Sequence, residues 1–246
     1  MDKSPEALAH EAAEKFSVEM GAFWRKRLGM RLLGVYWIGS LAHGGFSRRY
    51  SDIDLAVISD NGLTDDELGQ ARNAASTLSP VHGSKLSVFW SDHAFTMGRF
   101  PPLDRTDYLD HAVAILENEH IRPPRPTLQE VRDYLSSAPF AAWREQIKRY
   151  GAAMRLGPED HKPYLRALLY SARFVFSWST GSMASSDRAV EFLRQTAPDG
   201  IDVDLVERAL RLRQQASDLD DLFPERAKLL DQFEACARLM ASKQSL

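Results

Sequence analysis

The order of apolar and polar positions divides the chain into a mixed half and a helical half. Ser4-Pro5-Glu6 reads as a helix start: a cap oxygen, a first-turn proline and an acid near the positive end of the dipole. Leu8, Ala12, Phe16, Met20 and Phe23/Trp24 then recur at helical spacing and predict a core-facing stripe, with Gly29 as its stop. The compact apolar run Leu32–Ile38 predicts a buried strand. Asp52–Ile58 predicts a second, closed by the turn Ser59-Asp60-Asn61-Gly62. Thr64 with Glu67 three residues on is a capping box, which opens a helix over Thr64–Thr77. Leu86–Trp90 predicts a third strand, and Asp107–Glu119 reads as a helix.

Prolines punctuate the middle of the chain. Pro123, Pro124 and Pro126 mark a boundary in the stretch Arg122–Thr127, giving an expected domain at 1–122 and another at 123–246. Beyond it no strand is predicted. Thr127–Leu135, Phe140–Arg155, Pro163–Thr180, Ser186–Thr196, Asp204–Leu219 and Pro224–Ser242 all read as helices. The expected fold class is α+β, with a small mixed sheet and flanking helices first and an all-helical bundle after it.

Composition narrows the function classes. The 246 residues are 44% hydrophobic and 26% charged, a globular balance with enough chain for a core in each domain. A formal net charge of -3 gives no basic surplus for coating nucleic acid or an anionic membrane, so no nucleic-acid or membrane partner is expected. Cys236 is the only cysteine, which excludes an intrachain disulfide and fits a reducing compartment. The first residues lack the basic-then-apolar order of a signal peptide, and no apolar run approaches the ~20 residues of a membrane span. A cytoplasmic location is the expectation.

The chemistry concentrates in Ile38-Gly39-Ser40-Leu41-Ala42-His43-Gly44-Gly45-Phe46-Ser47-Arg48-Arg49-Tyr50-Ser51-Asp52-Ile53-Asp54-Leu55. Strand residues alternate faces, so Asp52 and Asp54 point one way while Ile53 and Leu55 point into the core. Two carboxylates side by side repel unless a cation lies between them, and hard oxygen donors favour Mg²⁺ or Mn²⁺ with phosphate oxygens completing the shell. Gly39-Ser40, just after a strand, lets a phosphate approach the backbone and offers it a hydroxyl. Together the two halves describe a site for a metal and a nucleoside triphosphate. A hydrolase reading of Ser40 fails, because the glycine two residues on that a nucleophile elbow needs is Ala42.

The pattern resembles the nucleotidyltransferase superfamily of the DNA polymerase β type, with Gly39, Ser40, Asp52 and Asp54 at its signature positions. The stretch from Gly44-Gly45 to Leu55 is most similar to the aminoglycoside adenylyltransferases of the streptomycin/spectinomycin type. A second segment, Tyr170 to Val190, resembles the helix, Thr-Gly, Ser-Lys-Asp, helix element of that family's helical domain, here with Thr180-Gly181 and Ser185-Ser186-Asp187. The resemblance implies transfer of a nucleoside monophosphate, AMP from ATP, to a hydroxyl of a small-molecule acceptor. Asp52 and Asp54 would be catalytic and hold Mg²⁺ or Mn²⁺, and Gly39, Ser40, Ser51 and Lys85 would bind nucleotide. Nucleotide and acceptor are expected to meet between the two domains.

Two positions depart from the family. Its third carboxylate, on the next strand, falls at Ser87, and its phosphate-reaching lysine falls at Ser186. Asp92 is near in sequence but has the opposite strand parity, while Asp104, Asp107 and Asp110 have no position that the sequence determines. Lys85 or Arg173 could replace the lysine, and Arg48 and Arg49 lie in the spacer. His43 follows the Gly-Ser turn, whereas His82, His93, His111 and His120 show no metal-ligand spacing among themselves. Trp90, Trp143 and Trp178 read as core, or as walls of an acceptor cleft. The departures also motivate a rival expectation, a nucleotide-binding relative without turnover in a regulatory or antitoxin-like role.

Overall fold

The protein, as a computed structural model, is described over residues 3–196 and 198–243. It divides into two compact units, residues 1–125 and 126–246.

In the first unit α1 (Pro5–Leu28) begins where the Ser4 hydroxyl accepts the Ala7 N–H at 3.2 Å and ends at Gly29, whose φ is 56°. After it come β1 (Leu32–Ile38), the single turn α2 (Ser40–His43), β2 (Ile53–Ser59), α3 (Asp65–Leu78), the short α4 (Pro80–Gly83), β3 (Leu86–Asp92), α5 (Pro102–His111) and β4 (Val113–Glu117). The Thr64/Glu67 capping box is formed at the start of α3. Strand order is β3-β2-β1-β4. β1 runs antiparallel to both β2 and β4, and β2 runs parallel to β3.

Period-2 alternation sorts the sheet into two faces. Val35, Ile53, Leu55 and Val57 join Phe16, Met20 and Trp24 of α1 and Ala71 and Ala75 of α3 in one core. Tyr36, Ile38, Ala56 and Ile58 form the other with Tyr108 of α5. The face of α1 differs from the expected stripe. Phe16, Met20 and Trp24 are buried, but Leu8 is 54% exposed and Ala13, not Ala12, reaches the core.

The largest correction concerns Asp107–Glu119, expected as one helix. The helix stops at His111, where Ala112 N–H bonds the Tyr108 carbonyl, and Val113-Ala114-Ile115-Leu116-Glu117 becomes the edge strand β4. A short apolar run fits either state locally. Here the open edge of β1 supplies strand partners, and Ile115 and Leu116 pack on α1 at Gly21, where a side chain on the glycine would meet Ile115 at 3.0 Å. In β2 the regular strand begins at Ile53, so Asp52 stands just before it.

The second unit is helical: α6 (Leu128–Ser136), α7 (Ala138–Ala152), α8 (His161–Thr180), α9 (Ser186–Thr196), α10 (Val203–Gln214) and α11 (Lys228–Lys243). α8 touches each of the other five and buries most of its residues. Phe140 stacks on Phe233 at 4.3 Å, Phe174 on Trp178 at 5.4 Å, and Trp143 lies 4.5 Å from Tyr170. Trp143 and Trp178 are thus core residues of this unit, and Trp90 packs against the core of the first. Gly181 ends α8 in the left-handed conformation (φ 71°), and Ser185 Oγ accepts the Arg188 N–H as α9 starts. Three helices differ from expectation at their ends. α7 stops at Ala152, α10 ends at Gln214, and α11 starts at Lys228 because Pro224 sits in a separate 3₁₀ segment.

Asp92 closes the far end of β3. Its carboxylate accepts the Thr96 and Met97 N–H groups at 2.8 and 2.9 Å and the Thr96 hydroxyl at 2.7 Å. Burial would raise its pKa, but these bonds outweigh it and hold the carboxyl below the usual range. Asp92→Ala is expected to cost about 1–3 kcal/mol in urea unfolding at neutral pH. Because the folded pKa is the lower one, this stability is present above the unfolded carboxyl pKa and is lost as pH falls through the folded value. The two proteins should therefore converge in acid.

Candidate functional site

The site is built around a turn. β1 leaves the sheet at Ile38, and Gly39 turns with φ 65° and ψ -149°, a conformation closed to most L side chains. Its carbonyl accepts the N–H groups of Ala42 and His43, both at 3.0 Å, which makes the single turn α2. The β1–β2 register sets Ile38 opposite Asp54. That brings Asp54 against the turn: a Cβ on Gly39 would lie 2.5 Å from Asp54 Oδ2. Glycine is required here twice over, by its φ and by the carboxylate beside it.

The segment between α2 and β2 is tied down by serines. Ser51 Oγ accepts the Ser47 N–H at 2.9 Å and the Ser40 hydroxyl at 3.0 Å, and Ser51 N–H returns to the Ser47 carbonyl at 2.9 Å. Ser47, Tyr50 and Ser51 are buried. Ser51 therefore holds Ser40 from behind. Glu6 of α1 takes the Arg48 N–H at 3.0 Å and its Nε at 3.2 Å, anchoring the loop from another side. Lys85, at the mouth of β3, accepts the Ile53 N–H at its carbonyl (2.9 Å) and donates from Nζ to the Arg48 carbonyl. Gly39, Ser40, Ser51, Asp54 and Lys85 thus belong to one assembly, and Asp52 lies between Ser51 and the first residue of β2.

The parallel register of β2 and β3 sets Ser87 directly beside Asp54. The neighbouring strand offers a hydroxyl where the resembled family has an acid. Asp92, beside Ser59 at the other end of β3, is far along the sheet and committed to its own loop. Asp110 pairs with Arg125. Asp107 does arrive at the turn. Its carboxylate is buried, with Oδ2 accepting the Gly39 N–H at 2.7 Å and Oδ1 the His111 Nδ1–H at 3.1 Å, and His43 Nε2 lies 3.9 Å away. The sequence signals that could have found this group are weak: the i,i+4 spacing of Asp107 and His111 on α5, and a histidine four residues after Gly39.

A second cluster was not legible in sequence at all. His161, Asp218 and Asp220 of the helical unit bring one potential metal-ligand atom each to within 4.8 Å of one another. Leu219 N–H donates to His161 Nδ1 at 3.2 Å, and Nε2 lies 3.8 Å from Asp220. The buried imidazole thereby holds the 218–220 turn. The other histidines make local contacts: His82 with Ser79, His93 with the Asp60 carbonyl and His120 with Glu117.

No family model matches the sequence, and no curated protein matches it. Solved structures do match the fold. One is the crystal structure of spectinomycin adenyltransferase AAD(9) from Enterococcus faecialis with ATP and spectinomycin, which aligns at a TM-score of 0.64 and 15% identity over 91% of this chain and 99% of that one. The chain thus shares the α+β fold of that adenyltransferase, a small mixed sheet with flanking helices followed by a helical domain.

Proposed function

We propose that this chain is a metal-dependent nucleotidyltransferase that moves AMP from ATP to a hydroxyl of a small-molecule acceptor and releases pyrophosphate. The observation that carries the reading is the approach of Asp54 Oδ2 to the backbone of Gly39, which joins the acidic and the Gly-Ser halves of the motif in one place. The fold shared with an adenyltransferase crystallised with ATP and spectinomycin supports the donor and suggests an aminoglycoside-like acceptor.

The donor set suits the cation. Asp52 and Asp54 offer hard carboxylate oxygens, and Asp54 lies directly against the glycine turn. Bound there, Mg²⁺ or Mn²⁺ would neutralise phosphate charge and acidify the attacking hydroxyl. Gly39 and Ser40 would lie along the triphosphate, Ser51 would orient the Ser40 hydroxyl, and Lys85 would brace the loop that carries them. In the transfer itself the acceptor oxygen bonds to Pα, the bond from Pα to the bridging oxygen breaks so that this oxygen leaves with pyrophosphate, and the acceptor proton passes to solvent. Positioning and charge neutralisation supply most of the acceleration in such chemistry.

Ser87 beside Asp54 favours one rival: a protein that binds nucleotide and metal without turnover. A general base contributes about 10²–10⁴-fold, so its loss from β3 slows transfer without removing the binding site.

Calorimetry with ATP, GTP, CTP and UTP, with and without Mg²⁺, tests the binding half. MgATP should bind, and Asp52→Asn/Asp54→Asn should weaken it at least ~10-fold. Transfer of labelled AMP to streptomycin- and spectinomycin-type acceptors tests the chemical half. Asp52→Asn should lower it by about 10³-fold, and undiminished transfer in that variant would sink the enzyme reading. Metal-dependent binding with no labelled product from any acceptor would instead favour the rival.

Gly39→Ala should cost about 1–3 kcal/mol of stability from backbone strain and should abolish MgATP binding, since the new methyl displaces Asp54. Urea unfolding and the same calorimetry read the two effects separately.

A further inference from the structure

We propose that Asp107 is the positioning residue of this site: from α5 it clamps the Gly39 turn through the Gly39 backbone N–H, and so holds Asp54 and Ser40 in the arrangement a metal–triphosphate needs. The proposal rests on the nucleotidyltransferase reading above and names a residue outside its motif.

Three features carry it. First, Asp107 is a carboxylate with a side chain only 3% exposed, and a charge so far from water persists only where it is hydrogen-bonded. Its partners are the turn itself. Oδ2 holds the Gly39 N–H at 2.7 Å, and Oδ1 holds His111 Nδ1–H at 3.1 Å with His43 Nε2 nearby at 3.9 Å. Second, His43 is the last residue of α2. Its Nδ1 donates to the Gly44 carbonyl at 3.1 Å and its ring meets His111 edge-on, with centroids 5.5 Å apart. The entry of the turn, at Gly39, is therefore bonded to the carboxylate, and its exit, at His43, packs beside it. Third, α5 is itself fixed to the sheet. Tyr108, next to Asp107, packs edge-on against Tyr36 of β1 at 5.1 Å, and its hydroxyl bonds the Ile121 carbonyl at 2.8 Å. The clamp thus has a rigid base.

The clamp shapes recognition in two ways. Gly39 lies between two carboxylates, Asp54 against its Cα and Asp107 on its N–H, so a shift of the turn moves Asp54's neighbour directly. The Gly39 N–H, committed to Asp107, is withdrawn from phosphate binding, which leaves Ser40 and the groups after it to meet the anion. With both oxygens engaged, Asp107 acts through the turn and does not replace the acid missing at Ser87.

The test is made on the full chain, well below its unfolding temperature. Hydrogen exchange of the Gly39 amide and calorimetric binding of MgATP are compared in wild type, Asp107→Ala and Asp107→Asn. In Asp107→Ala, Gly39 exchange should quicken and MgATP affinity should fall, each by about 10–100-fold, the scale of a lost hydrogen bond to a charged acceptor. Asp107→Asn keeps an oxygen for the Gly39 N–H and should stay within about threefold of wild type in both. A folded Asp107→Ala that binds MgATP as tightly as wild type, with only a lower unfolding midpoint, overturns this proposal alone, because that is the behaviour of a purely structural acid. Wild type binding no triphosphate overturns the nucleotide reading and this proposal with it. If Asp107→Ala does not fold, Asp107→Asn decides: small parallel changes in exchange and affinity support the clamp, and lost affinity with Gly39 still protected overturns it.

Discussion

Everything at the proposed site depends on how closely Asp54 and the backbone of Gly39 approach each other. A carboxylate at that distance from a Cα leaves no volume for a side chain, and the backbone there takes a φ of 65°. Only glycine satisfies both conditions without strain. The contact is set by the antiparallel register of β1 and β2, which aligns Ile38 with Asp54. A slip of one residue would send Asp54 to the α1 side of the sheet and Leu55 to the turn. That register is in turn enforced by burial. Ile53, Leu55 and Val57 fill one core, while Ala56 and Ile58 fill the other. The apolar residues of β2 thereby determine where its acid points.

The electrostatics of the turn are those of several carboxylates near one short piece of backbone. Asp52 and Asp54 lie at the head of β2, and Asp107 closes from α5. Asp107 is accommodated by N–H donors from Gly39 and His111, with His43 beside it. Asp92 shows the same arrangement at the opposite end of the sheet, where Thr96 and Met97 supply the donors. In both cases a buried carboxylate fixes a loop through its backbone, two N–H groups at Asp92 and the Gly39 N–H at Asp107. The difference is what the loop carries: the Asp107 loop bears the Gly-Ser turn, and the Asp92 loop joins β3 to α5.

The helical unit is organised by a different principle. Its long helix α8 buries most of its residues, leaving Arg166 and Arg173 on an exposed face, and the aromatic rings of Phe140, Trp143, Tyr170, Phe174, Trp178 and Phe233 pack in stacked and tilted pairs around it. Large rings contribute stability through area and through the geometry of their pairing. Of the tryptophans read as possible walls of an acceptor cleft, Trp143 and Trp178 belong to this core and Trp90 packs against that of the first unit.

Local patterns in the sequence determined much of this protein. The Ser4 and Thr64 caps, the apolar strands Leu32–Ile38 and Leu86–Trp90 and the glycine stop at Gly181 all act over a few residues, so they are legible without the fold. The Gly-Ser and Asp-x-Asp pattern is local too: along β2 Ile53 and Leu55 turn into one core and Asp54 to the other face, while Asp52 stands ahead of the strand. Tertiary structure decided the rest. Val113–Glu117 is a strand because β1 had an open edge to pair with, and a run of that length and apolarity carries no internal preference strong enough to decide. The buried face of α1 is rotated toward Ala13 because the sheet, and not the helix, selects which residues it covers. The bond from the Gly39 N–H to Asp107 joins residues 68 positions apart, and of the groups gathered there only His43 lies near the motif. No local pattern encodes such a contact, since its energy exists only once α5 has packed against β1.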